Sequence, residues 1–283
     1  MNIKIISDST CDLSPELLAK YNVSLVPLTV IKADEQFKDG VDITPADIFA
    51  FVAETKQLPK TAAPSIGDYE EFFKRQFELG YDEIVHLNIS AKSSGSHNMA
   101  KQAAEGFGGK VHVVDSMALS SGQGLLVMKA CDMRDEGKSA TEIEDALLEI
   151  RTHVNTSFVP DSLDYLHKGG RVSGMVKVAA AAFKIHPLIM MDNGQLVPGK
   201  KYKGKMSVLI KQYIEDLKVM YPSYEKTRCF ITHSSADEEL VRVAKEKVAE
   251  IFEFDEIIET VAGSIVTSHC GQGTLGVLFI YNV

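Results

Sequence analysis

This sequence is poor in the features that mark the commonest binding chemistries. Its four cysteines, Cys11, Cys131, Cys229 and Cys270, are scattered without a CxxC pair. That spacing excludes a structural zinc knuckle and speaks for reduced thiols. Eight histidines occur without an HExxH pattern or an Asp/His cluster, so no metal site is expected. Basic excess is missing: 30 Lys and Arg against 39 Asp and Glu leave a net charge of −9. A nucleic-acid binder needs a concentrated basic face, so no nucleic-acid partner is expected. Long apolar runs are absent as well. The most apolar stretch, MVKVAAAAFKIHPLIMM, is interrupted by Lys177, Lys184, His186 and Pro187 and does not read as a membrane span. The opening MNIKIISDST reads as a strand, not a signal peptide, which points to the cytoplasm. Neither GxxxxGK[ST] nor GxGxxG occurs, and Gly271-Gln-Gly273 leads into a strand instead of a helix. There is no GxSxG elbow for a serine nucleophile.

What is present alternates strands with helices. NIKIIS at 2–7 reads as a strand, and Ser14-Pro15 opens a helix with a cap and an N1 proline. VSLVPLTVI at 23–31 reads as one strand, and Thr44-Pro45 repeats the helix start. KTAAPSIG reads as a loop before the helix DYEEFFKRQFELG, which Gly80 ends. EIVHLNIS, a helix from Ser96, and KVHVVD at 110–115 follow, then two helices, the second opened by the capping box Ser139–Glu142. Strands separated by helices imply a parallel sheet covered on both faces. Further on, Asp192-Asn193-Gly194 signals a hairpin, helices span about 205–220 and 235–252, and three more strands close a mixed α+β region. The expected organisation is an N-terminal α/β domain over 1–155 and a C-terminal α+β domain over 156–283.

Polar residues gather at a few element ends. In ISAKSSGS, Ser93, Ser94 and Ser96 crowd a strand-to-helix loop with Gly95, where free N–H groups and hydroxyls suit an anion's oxygens. The same serines would serve equally as an ordinary helix cap. His97, one position into that helix, reads as solvated. Thr61 in KTAAPS places a second hydroxyl before a helix. In LHKGGRVS, Arg171 stands at the start of a helix, where its charge opposes the dipole, so it has a purpose other than helix stability or is simply solvated. SIVTSHCGQGTLGVLFI reads as strand, His269, glycine turn, strand.

Taken in order, IISDSTCDLSPELLAKYNVSLVPLTV, KTAAPS, ISAKSSGS, VVDSMALSSGQGLLV, LHKGGRVS and SHCGQGTLGVLF resemble the DegV family over essentially the whole chain. These are bacterial fatty-acid-binding proteins, including the FakB type. The resemblance implies a two-domain α/β fold with a long-chain fatty acid between the domains and no other cofactor. It implies that the chain is a carrier, not an enzyme, and presents the carboxylate to a separate ATP-dependent fatty acid kinase that makes an acyl phosphate, with entry of that product into phospholipid metabolism left open. Matched onto this sequence, Thr61, Ser94 and His269 would hold the carboxylate, Asp8, Ser9 and Gly95 would support them, and Arg171 would lie at the cleft mouth where the kinase docks. Read from the residues alone, Met and Ala of VSGMVKVAAAAFKIHPLIMM suit an adaptable tunnel lining or plain core packing equally. Ala62, Ser93, His97, Gln272 and Cys11 depart from the family's usual pattern and leave the acyl preference open. Rival readings are an acyl hydrolase using Ser94 or Ser96 with His269, a regulatory lipid-binding module, and a phosphohistidine carrier at His97 or His269. The run KKYKGK at 200–205 suits transient contact with an anionic membrane or a solvated loop.

Overall fold

All six residues of β1 (Ile3–Asp8) are buried in the computed structural model, which describes residues 2–172 and 185–282. A strand with no exposed face must be covered on both sides. It lies inside a four-stranded parallel sheet of order β2 (Ser24–Val26), β1, β6 (Glu83–Asn88), β7 (Val111–Asp115). Ile6 and Ile84 pack on α3 (Ile66–Glu78) and α4 (Ser96–Ala104). The alternate residues Ile5, Val85 and Leu87 pack on α5 (Ser120–Asp135) and α6 (Ala140–Ile150). Capping boxes Ser65/Asp68 and Ser139/Glu142 start α3 and α6, each closing two N–H groups that would otherwise lack partners.

The second sheet is mixed. Its order is β11 (Gln195–Lys203), β10 (Ile185–Asp192), β9 (Ser157–Val159), β14 (Leu275–Tyr281), β12 (Tyr224–His233), β13 (Glu256–Val261), with β8 (Val154–Asn155) also on β14. Among its described strand pairs, β12 with β13 alone is parallel. Asn193 and Gly194 take φ of 48° and 77° at the β10–β11 turn, as an Asn-Gly hairpin requires. One face is covered by α8 (Met206–Met220) and α9 (Glu238–Ile251) through Leu209, Tyr213, Val241 and Ala244. The other face meets α5, where Phe230, Leu278 and Ile280 join Leu125 and Leu126 in one cluster.

Helix α5 therefore serves both sheets, and 12 of its 16 residues are buried. A helix buried nearly all round needs no polar stripe. Two glycines permit the contact: a Cβ on Gly122 would lie 2.1 Å from Thr156 Oγ1, and one on Gly124 would lie 2.7 Å from the Cys11 carbonyl. A small antiparallel sheet, β4 (Glu35–Lys38), β3 (Thr29–Lys32), β5 (Lys60–Ala62), packs with α2 (Pro45–Thr55) on α10 (Ser264–Cys270) through Leu28, Val30, Ile48 and Ile265.

Three local readings of the sequence need correction. VSLVPLTVI is two strands in different sheets, because Pro27 has no N–H for the ladder and Leu28 N–H turns to Ser9 Oγ at 3.2 Å. Lys60–Ala62 of KTAAPS is a strand paired with β3. SIVTSHC is the helix α10, not a strand. Its β-branched residues disfavour that state, but its first N–H groups meet carboxylates from far along the chain. The tunnel residues expected within 173–184, and the helix expected after Arg171, lie outside the described residues.

Candidate functional site

In the parallel sheet the chain leaves β1 toward β2 on one side and β6 toward β7 on the other. The carboxyl ends of β1 and β6 thus form a topological switch point, the usual crevice for ligands in open α/β sheets. Asp8 ends β1 there, fully buried, and accepts from Tyr69 Oη at 2.8 Å, Ile89 N–H at 3.1 Å and Asn88 Nδ2 at 3.2 Å. It fixes the start of the loop that carries the serines and does not itself line the cavity described below. Ser9 next to it takes the Leu28 N–H and so sets a wall residue. In the loop, Ser93 and Ser94 N–H both donate to the Ser90 carbonyl. Ser94 Oγ stands 2.8 Å from Ser96 Oγ and receives the Ser96 N–H at 3.2 Å. Ser93, Ser94 and Gly95 face the cavity, whereas Ser96 is buried behind Ser94. His97, expected to be solvated, is half-buried: its Nδ1 is covered and has no hydrogen-bond partner among the described residues, and burial lowers its pKa.

The second sheet brings His269 to the same opening on α10. Its Nε2 lies 2.8 Å from Thr61 Oγ1 on β5. Burial first, then the Arg171 charge, push its pKa down to about 4, so the imidazole is neutral at physiological pH. Nδ1 is covered by the end of α7 (Asp164–Gly169) and has no partner among the described residues: a Cβ on Gly169 would lie 2.8 Å away. Arg171 is exposed at the edge of the cavity and donates to the Gly169 carbonyl at 2.7 Å.

Between these corners lies a cavity of about 280 Å³. Ile89, Leu119, Phe158, Leu166, Leu196 and Ile265 give it apolar walls, while Thr61, Ser94, His269 and Arg171 sit together on its lining. Deeper hydroxyls are occupied with one another: Thr232 Oγ1 lies 2.5 Å from Ser121 Oγ and 2.7 Å from Thr260 Oγ1. Cys270 also lines the space, its thiol pushed up to about 12 by burial and hence protonated. A pocket of this kind takes a molecule with an apolar body and one small polar head. Ser94 and His269 share the cavity but not a hydrogen bond, each being paired elsewhere. Among the described residues no group of three His, Cys, Asp or Glu is placed to hold a metal, and no helix is long and apolar enough to cross a membrane. Sequence reasoning missed Asp12 and Asp39, which hold α10, and Ser120, which lines the cavity and donates to Asp12. No local pattern links these residues to His269.

Comparison with known proteins bears on the fold and the family. A DegV domain-containing protein of Listeria innocua is 32% identical over 281 residues, 98% of each chain. The fatty-acid-binding DegV family protein of Thermus thermophilus superposes with a TM-score of 0.92 at 27% identity, covering 100% of both chains. A DegV lipid-binding protein of Thermotoga maritima gives 0.87 at 28% identity over 99% of each. The family model described as "Uncharacterised protein, DegV family" matches residues 2–282, and the chain belongs to that family.

Proposed function

We propose that the cavity binds a long-chain fatty acid between the unit of residues 1–155 and that of 156–283, and that the protein presents the carboxylate to a separate ATP-dependent kinase for acyl-phosphate formation. Thr61, Ser94 and His269 hold the head group, and Arg171 stands where the kinase docks. The observation that carries this reading is an apolar cavity bearing two hydroxyls and a neutral imidazole together on its lining, in a chain that superposes along its full length on a fatty-acid-binding relative. A tail of about sixteen methylenes, at about 0.8 kcal/mol each, supplies roughly 13 kcal/mol of gross burial energy. Each neutral hydrogen bond to the head adds only about 1 kcal/mol net. The tail therefore sets affinity, and the polar residues set position. With no nucleotide-binding motif in the sequence, the phosphoryl group comes from the partner. Native mass spectrometry of the freshly purified protein, followed by denaturing extraction, tests the binding step. A stoichiometric fatty acid is expected, and an empty protein that also refuses added oleate and palmitate would sink the reading. Arg171→Glu is expected to keep the lipid and lose acyl-phosphate formation with the kinase.

A further inference from the structure

Helix α10 has seven residues and carries His269 as its sixth. A helix this short does not hold itself, so its first N–H groups need partners from outside. Two carboxylates supply them: Gly263 N–H donates to Asp12 Oδ1 and Ser264 N–H to Asp39 Oδ1, both at 2.9 Å. Asp12 is 5% exposed and Asp39 4%. They converge on one residue, for a Cβ on Gly263 would lie 3.2 Å from Asp12 Oδ1 and 3.5 Å from both Asp39 oxygens. Neither has an ion-pair partner among the described residues. Asp12 faces the Ser120 hydroxyl on α5 at 2.5 Å, the Cys11 and Cys270 thiols and Asp39 itself. Asp39 faces the Ser9 and Ser264 hydroxyls and the Ile265 N–H. Two buried carboxylates this close, with no cation, do not both ionise cheaply.

We propose that Asp12 and Asp39 are positioning residues for His269, a buried pair that stays singly protonated while it clamps the start of α10. Losing that proton sets two like charges against each other, loosens the helix and withdraws the imidazole from Thr61. The effect on ligand rests on the head-group reading given above; the clamp itself does not. Burial pushes Asp12 up to about 7 and Asp39 also upward, with the Ser120 hydroxyl opposing the shift in Asp12. The folded chain thus holds this proton more tightly than the unfolded one. The stability it contributes falls as pH rises from the ordinary carboxylate range through about 7.

The test measures fatty-acid affinity from about pH 5.5 to about pH 8.5, a range that brackets the Asp12 transition and lies above that of His269. The wild type, Asp12→Asn, Asp39→Asn and Ser120→Ala are compared, so that ionisation of the ligand itself cancels. The ring ¹⁵N shifts of His269 are followed in the ligand-free proteins. The wild type is expected to weaken roughly fivefold with rising pH, for the loss of about one hydrogen bond at the head group. Asp12→Asn keeps an acceptor for Gly263 N–H and a partner for Ser120 without titrating, so its profile is expected to be flat, as is that of Asp39→Asn. Ser120→Ala removes a donor to the charged form and moves the midpoint upward. Asn variants that keep the wild-type slope, or a midpoint unmoved in Ser120→Ala, would overturn the proposal. If no fatty acid binds at all, the functional reading fails. The His269 shifts then decide the clamp alone: a step near pH 7 that Asp12→Asn removes supports it, and its absence in the wild type ends it.

Discussion

The two polar corners of the cavity, at Ser94 and at His269, are built in opposite ways. Ser94 is held by its own neighbourhood, through Ser90, Ser96 and a strand end that the buried Asp8 ties down. His269 rides on a helix whose Ile-Val-Thr start does not favour helix, held by carboxylates 225 and 251 positions away. The Ser94 corner takes one bond from the second sheet's hairpin, Ser90 Oγ to the Gly194 carbonyl at 2.6 Å, whereas the His269 corner takes the whole start of its helix from the other half of the chain.

Four tests, using five substitutions, break or sharpen that contrast. Asp8→Ala leaves the Tyr69 hydroxyl, the Asn88 amide and the Ile89 N–H without their buried acceptor. At about 1–3 kcal/mol for each orphaned group, a loss of about 3 kcal/mol or more is expected in denaturant unfolding. A loss below about 1 kcal/mol would mean Asp8 does not anchor the Ser94 corner. Next comes a pair of glycines. Gly169→Ala drives a methyl to 2.8 Å from His269 Nδ1, whereas Gly95→Ala meets nothing within 4 Å. The first is expected to cost about 1–3 kcal/mol and the second a few tenths, compared by thermal denaturation. Equal costs would show that the two corners tolerate added bulk alike.

The third concerns acid. His269 is held neutral down to about 4, while an unfolded histidine protonates near 6.5, so its contribution to stability is full above 6.5 and is lost as pH falls toward 4. His269→Gln should lack that loss, and an unchanged acid limb in the variant would contradict the burial of the ring. Asp12 acts with the opposite sign over much of the same range, so a whole-protein melt against pH shows only the difference. The smallest effect is Ser94→Ala, expected to weaken fatty-acid binding by about 1 kcal/mol, roughly fivefold, with the lipid retained. Loss of all lipid from the folded variant would shift the weight of binding from the tail to the head.

Much of this was legible in the sequence, for physical reasons. Alternating strands and capped helices announce a parallel sheet, and Asn193-Gly194 announces the hairpin, because both signals are local. The serine loop was readable because the bonds that set Ser94, to Ser90 and Ser96, lie within six positions. Helix α10 was not, because its caps, Asp12 and Asp39, come from the far end of the chain. Pro27 dividing one apparent strand between two sheets was readable in principle, since a proline inside a strand is its own warning. Ser120 and Gly169 carried no signal, as each matters only for what the fold sets against it.

The helix shared by the two sheets bears on how long a guest stays. With Leu126 of α5 and Leu278 of β14 in a single cluster, the sheets have no free plane along which to swing apart. A hinge that opened the cavity would have to wet that cluster. Residence time is then expected to follow local motions of the cavity lining, independently of how firmly the whole molecule resists unfolding.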